Sequence, residues 1–182
     1  PNSSATPSID LKYAFSADAP PGWTAVPADA AYSADRGFGF DLGSKVALVA
    51  KGTGPAGCVT GVDGKPFFFS AKVPPGIYRV TVTLGNPSAD ATTTVKSETR
   101  RLHIESLHTE AGHTETRTFL AHIRIPEIPE ASGGGVVKRK QREIDQVLYV
   151  RWDPKDPQSL VAFPELDWDE KLTLAFTGDQ IG

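Results

Sequence analysis

Pro74-Pro75-Gly76-Ile77-Tyr78-Arg79-Val80-Thr81-Val82-Thr83-Leu84-Gly85 is the stretch that decides the fold class. Two prolines and a glycine break the chain. Val80, Val82 and Leu84 then alternate with Arg79, Thr81 and Thr83 until Gly85-Asn86-Pro87 stops the run. A period of two sends apolar side chains to one face and polar ones to the other, which describes a strand with one side on a core and one in water.

The same alternation recurs on both sides of this stretch. Phe67, Phe69 and Ala71 alternate with Phe68, Ser70 and Lys72, and Leu172, Leu174 and Phe176 with Lys171, Thr173 and Thr177. Near the start, Leu11, Tyr13 and Phe15 point one way while Asp10, Lys12 and Ala14 point the other. Further strands are expected at 38–42, 46–50, 92–97, 101–107, 116–124, 136–142 and 146–152. Asp63-Gly64 reads as a hairpin turn joining strands at 59–62 and 66–69. Roughly ten antiparallel strands at this spacing predict an all-β fold, a jelly roll or β-sandwich. No helical run interrupts them. The Pro/Asp-rich stretches 17–36 and 153–169 are expected as loops.

Composition agrees. Seventeen glycines and fifteen prolines in 182 residues are about half as many again as the usual ~12 % share, and hydrophobic residues at 39 % supply a core. A net charge of −3 argues against a nucleic-acid footprint, and no run is apolar and long enough for a membrane span. The single cysteine, Cys58, forms neither an internal disulfide nor a cysteine cluster and is read as a small, half-buried residue. A start at Pro1 and the absence of methionine read as a processed or excised piece. Residues 1–8 are expected to be a disordered leader, and 9–182 a single sandwich domain.

Catalytic motifs are missing: the chain has no Gly-x-Ser-x-Gly elbow and no phosphate-cradling loop. His103, His108 and His113 recur every five residues, but an odd step along a strand alternates faces, so they read as surface or cross-strand side chains. His122, between Ala121 and Ile123, should face solvent. Asp167 and Asp169 have the opening spacing of a calcium loop, but Lys171 stands where the next oxygen ligand belongs. No cofactor is therefore assigned, with a structural Ca2+ left as an alternative. Trp23, Tyr32, Phe38, Trp152, Phe163 and Trp168 lie at strand ends or in loops, where an aromatic face can stack on sugar C–H groups beside a polar rim. Of these, Trp23, Phe38, Trp152 and Trp168, with Asp35 and Arg36 on the rim, are the candidate carbohydrate-binding residues. The alternative is that the rings close the ends of the core. Arg100-Arg101 and Lys138-Arg139-Lys140 read as wet strand faces.

Three blocks in order carry a resemblance: Tyr13-x-Phe15 with Pro21-Gly22-Trp23-Thr24 and Gly37-Phe38-Gly39-Phe40; the 74–85 stretch continuing through Thr93-Thr94-Val95-Lys96-Ser97-Glu98-x-Arg100-Arg101-Leu102; and Trp168-Asp169-Glu170-Lys171-Leu172-Thr173-Leu174-Ala175-Phe176-Thr177-Gly178. Together they resemble the N-terminal galactose-binding-like β-sandwich of rhamnogalacturonan acetylesterase-like proteins in the GDSL (SGNH) hydrolase class. The resemblance implies a secreted or periplasmic bacterial protein. Its partners would be pectic polysaccharide and an SGNH-type catalytic domain in the parent chain, with neither nucleic acid nor membrane. That family's Gly-Asp-Ser and Asp-x-x-His motifs do not occur here, so the expectation is a non-catalytic accessory module. A purely structural or protein-interaction domain, and more remotely a self-sufficient hydrolase using acidic loop residues, are the alternatives.

Overall fold

A computed structural model describes residues 9–49, 57–98, 101–124, 127–128, 134–136 and 169–179. The leader at 1–8, the strand expected at 146–152, most of that at 136–142, Trp152, Trp168 and the Lys138–Lys140 run lie outside them.

Among the described residues there are thirteen strands and one short 3-10 turn, Val62–Gly64. The largest sheet has five strands in the order β3 (Phe38–Asp41), β6 (Phe67–Lys72), β13 (Lys171–Asp179), β8 (Ala91–Ser97) and β9 (Arg101–Thr109), each pair antiparallel. Two antiparallel pairs contribute to the opposing side: β4 (Val46–Val49) with β5 (Cys58–Gly61), and β7 (Gly76–Leu84) with β10 (Glu115–Ile123). Two-residue pairs complete the set: β1 (Tyr13–Ala14) with β2 (Thr24–Ala25), which is parallel, and β11 (Glu127–Ile128) with β12 (Gly135–Val136).

One hydrophobic cluster joins these pieces. Phe40, Phe67, Phe69, Val95, Leu174 and Phe176 of the large sheet meet Val46, Val59 and Leu84 from the facing pairs. Phe67 and Phe176 stack at 4.8 Å, and Phe40 and Phe69 meet edge-on at 6.0 Å. Each buried ring contributes about 1.5–3 kcal/mol of transfer free energy, so this cluster holds the layers together.

The 74–85 stretch forms β7 as its alternation predicts, with Leu84 buried and Ile77, Arg79, Thr81 and Thr83 outward. The hairpin at Asp63-Gly64 does not form. The turn is there, with Asp63 and Gly64 both at positive φ, but β5 pairs with β4 and β6 with β3 and β13. It carries the chain from one layer to the other. The alternation at Leu11–Phe15 also breaks down: Ala14 is buried while Leu11 is 48 % exposed. Tyr13 and Phe15 lie half-buried against the aromatic core, flanking Ala14.

Candidate functional site

The first block converges on the end of the large sheet where β3 begins and β6 finishes. A Pro21-Gly22 turn, closed by the Trp23 amide on the Pro20 carbonyl at 3.0 Å with Gly22 at φ 81°, leaves Trp23 41 % exposed. The next residue, Thr24, is registered with Tyr13, whose ring lies 5.2 Å from Phe38 and 5.1 Å from Phe69. Trp23 is thereby tied to the start of β3.

A second turn brings charge to the same end. The Gly37 amide donates to the Ser33 carbonyl at 2.8 Å, and the Arg36 amide to Ser33 Oγ. Asp35 and Arg36 are left exposed, with Arg36 Nη1 on the Ala31 carbonyl. This loop runs along the free edge of β3, where Ala31 bridges Phe40 in parallel. Tyr32 donates to the Phe40 carbonyl and Phe40 to that of Ala30, and a Cβ at position 39 would stand 2.5 Å from the Ala30 oxygen. Only a glycine admits that approach.

Beneath the loop is a polar cluster that the sequence reading did not find. Lys171 Nζ lies 2.7 Å from Asp41 Oδ2, 3.8 Å from Asp169 Oδ2 and 4.8 Å from the centre of the Tyr32 ring. Ser70 Oγ donates to Asp41 and shares a 2.9 Å hydrogen bond with Thr173. Burial alone would raise the Asp41 carboxyl, but hydrogen bonds from Lys171, Ser70 and the Leu42 amide outweigh it and hold it below its usual range. Asp169 has less compensation, and burial pushes it up to about 6 against the pull of Lys171. The ammonium thus sits between two acids, and Asp169, one of the two proposed calcium ligands, is turned to Lys171. Asp167 is outside the described residues.

Four of the six candidate sugar-binding residues are described. Trp23, Asp35 and Arg36 are exposed at this end of the sheet. Phe38 is half-buried, with its ring against Tyr13 and the core. The missed residues are Asp41, Ser70 and Lys171, whose one sequence signal was the lysine standing in place of a calcium ligand; Tyr32, one of the loop aromatics, has its ring against that lysine.

The remaining chemistry-bearing side chains have structural settings. His122 faces solvent between buried Ala121 and Ile123. His103 accompanies irregular pairing between β8 and β9, which lets its ring stack on Phe119 at 4.1 Å while Nε2 lies 2.7 Å from Ser97 Oγ. That resembles a nucleophile and its base, yet Ser97 is fully buried and no substrate can reach it. Cys58 is half-buried, its thiol on the Gly85 carbonyl and pushed up by burial to about 11, which leaves it unreactive. Among the described residues no three His, Cys, Asp or Glu side chains are grouped to hold a metal ion.

Sheet order, core and loop-bearing end define a galactose-binding-like β-sandwich module. Residues 11–119 match the family described as beta-agarase/YXIM esterase-like, galactose-binding domain-like, and the chain belongs to that family. Comparison with curated proteins and with solved structures gives no match. The matched span contains Trp23, Asp35, Arg36, Phe38, Asp41 and Ser70, while Asp169 and Lys171 lie beyond it. A domain of this kind is not itself catalytic.

Proposed function

We propose that this chain is the accessory, sugar-binding module of a secreted or periplasmic carbohydrate esterase of the rhamnogalacturonan acetylesterase type. It holds pectic polysaccharide beside an SGNH-type hydrolase domain of the parent chain. The observation that carries this reading is an exposed tryptophan, Trp23, on the same sheet end as the charged turn bearing Asp35 and Arg36. An indole face takes the C–H surface of a sugar, and the charged neighbours take its hydroxyls. Trp152 and Trp168 are proposed to add further stacking faces.

Calorimetric titration with galactan and rhamnogalacturonan oligosaccharides tests it. The chain should release heat on binding, and Trp23→Ala should weaken that binding about tenfold or more with its melting temperature kept. No heat at millimolar ligand would sink the reading. The outer face of the β7–β10 pair favours a second role alongside this one. Ile77 is 70 % and Leu120 63 % exposed there, a surface suited to packing on a hydrolase domain.

A further inference from the structure

We propose that Lys171 is a positioning residue of the sugar site: its ammonium, fixed at the start of β13, seats the Tyr32 ring and through it the turn that presents Asp35 and Arg36. This rests on the sugar-binding reading above, and it adds what holds that site in shape.

The turn at 33–37 is closed within itself by the Gly37 amide on the Ser33 carbonyl, the Arg36 amide on Ser33 Oγ and Arg36 Nη1 on the Ala31 carbonyl. Those bonds shape the turn but do not tie it to the sheet. Its trailing end is tied by the Lys72 amide of β6, which donates to the Gly37 carbonyl at 2.6 Å. Its leading end has one backbone attachment beside the turn, the Tyr32 amide on the Phe40 carbonyl at 2.8 Å, and that lies on the outermost strand. The Tyr32 side chain adds a second attachment, with its ring centre 4.8 Å from Lys171 Nζ. This contact links the free edge of β3 to β13, two strands further in and about 10 Å away.

The ammonium is a fixed anchor. It lies 2.7 Å from Asp41 Oδ2 and 3.8 Å from Asp169 Oδ2, with the lysine side chain only 16 % exposed. Asp41 Oδ2 is held in turn by Ser70 Oγ at 2.8 Å, from a fully buried residue of β6. A lysine on its flexible stem samples many positions; two carboxylates confine this one. A cation over an aromatic face is attracted to it. Burying an ion pair in place of apolar side chains brings little stability. What the ammonium adds is a defined seat for the ring.

A turn seated at both ends presents its charged side chains in one arrangement, so a sugar does not have to order them on binding. The turn lies inside the family-matched span and its anchor outside it.

Two measurements on the whole chain test this. Amide hydrogen exchange at Gly37 and Phe40 needs no sugar; calorimetric titration uses the galactan and rhamnogalacturonan oligosaccharides. Tyr32→Leu leaves the Lys171–Asp41 pair in place, so exchange at both amides should rise, and affinity fall, about tenfold in a folded chain. Lys171→Met should do the same below its melting transition. Tyr32→Phe and Lys171→Arg keep the ring and the charge, and should restore parent values to within about twofold. Parent-like exchange in Tyr32→Leu overturns the proposal, as does a deficit that Tyr32→Phe and Lys171→Arg share in full. Faster exchange with undiminished affinity also overturns it, and leaves sugar binding to Trp23. Absence of heat with the parent chain overturns the sugar-binding reading, and this role of Lys171 with it.

Discussion

Asp169 and Asp41 share one ammonium but answer to pH in opposite senses. Asp169 is raised from 3.8 to about 6, so the folded state holds its proton more tightly than the unfolded chain. That contribution is complete below pH 3.8 and is lost as pH rises through about 6. Asp41 is lowered; its contribution is present above 3.8 and fades as pH falls through its folded value. The expected melting temperature by scanning calorimetry is therefore higher at about pH 5 than at about pH 7.5, with a second decline in stronger acid. Asp169→Asn should flatten the slope between the two upper values; a slope that survives in that variant refutes the assignment.

Gly39 offers a sharper test at the same scale. It stands at φ 144° under the Ala30 carbonyl, so Gly39→Ala strains the backbone and collides with it. A loss of about 3 kcal/mol in urea unfolding is expected. A loss below about 0.5 kcal/mol would show that the loop does not need its close seat on β3.

At the level of elements, β13 is the keystone, hydrogen-bonded to β6 on one side and β8 on the other. Phe176, 5 % exposed and stacked on Phe67, joins these strands to the core. Phe176→Ala should cost about 3–5 kcal/mol in chemical denaturation. Ile77→Ser and Leu120→Ser, on the outer face of β7 and β10, should change stability by less than about 0.5 kcal/mol. These contrasting substitutions separate the core face from the outer face of strands with similar apolar content.

Alternation made the strands themselves legible, because 74–85 and 171–179 each present one apolar face whatever they pair with. Their partners were not. Asp63 and Gly64 take the positive-φ turn their chemistry favours, but that chemistry is the same in a hairpin and in a crossover between layers. What decides between them is long-range packing: Phe67 and Phe69 gain more against Phe40 and Phe176 than against Val59. Histidine parity was legible only in part, since the irregular β8–β9 register and Ser106 at φ 47° alter the simple count of two. The polar cluster escaped for a similar reason. Asp41 and Lys171 are separated by 130 residues, and nothing local in Phe-Gly-Phe-Asp announces a distant ammonium. Trp23, Asp35 and Arg36 were legible because turn residues bring them to the surface through local chemistry.

For the whole molecule, the family match and the fold have different extents. Residues 11–119 carry the family pattern, yet the strand at the centre of the large sheet is Lys171–Asp179. A fragment ending at residue 119 would leave β6 and β8 with open edges. It should lack cooperative melting by circular dichroism; a sharp transition in that fragment would show that β6 and β8 close on each other without the last strand.

That strand order also sets a schedule for biosynthesis. Ser70 and Thr173, which meet across β6 and β13, are separated by 103 residues. At about 5–20 residues per second, β6 leaves the ribosome roughly 5–20 s before its partner exists. Through that interval β6 has only β3 beside it and its other edge is open, and a nascent chain in this state is a natural client for holdase chaperones. Folding of the module is thus gated by translation of its last strand.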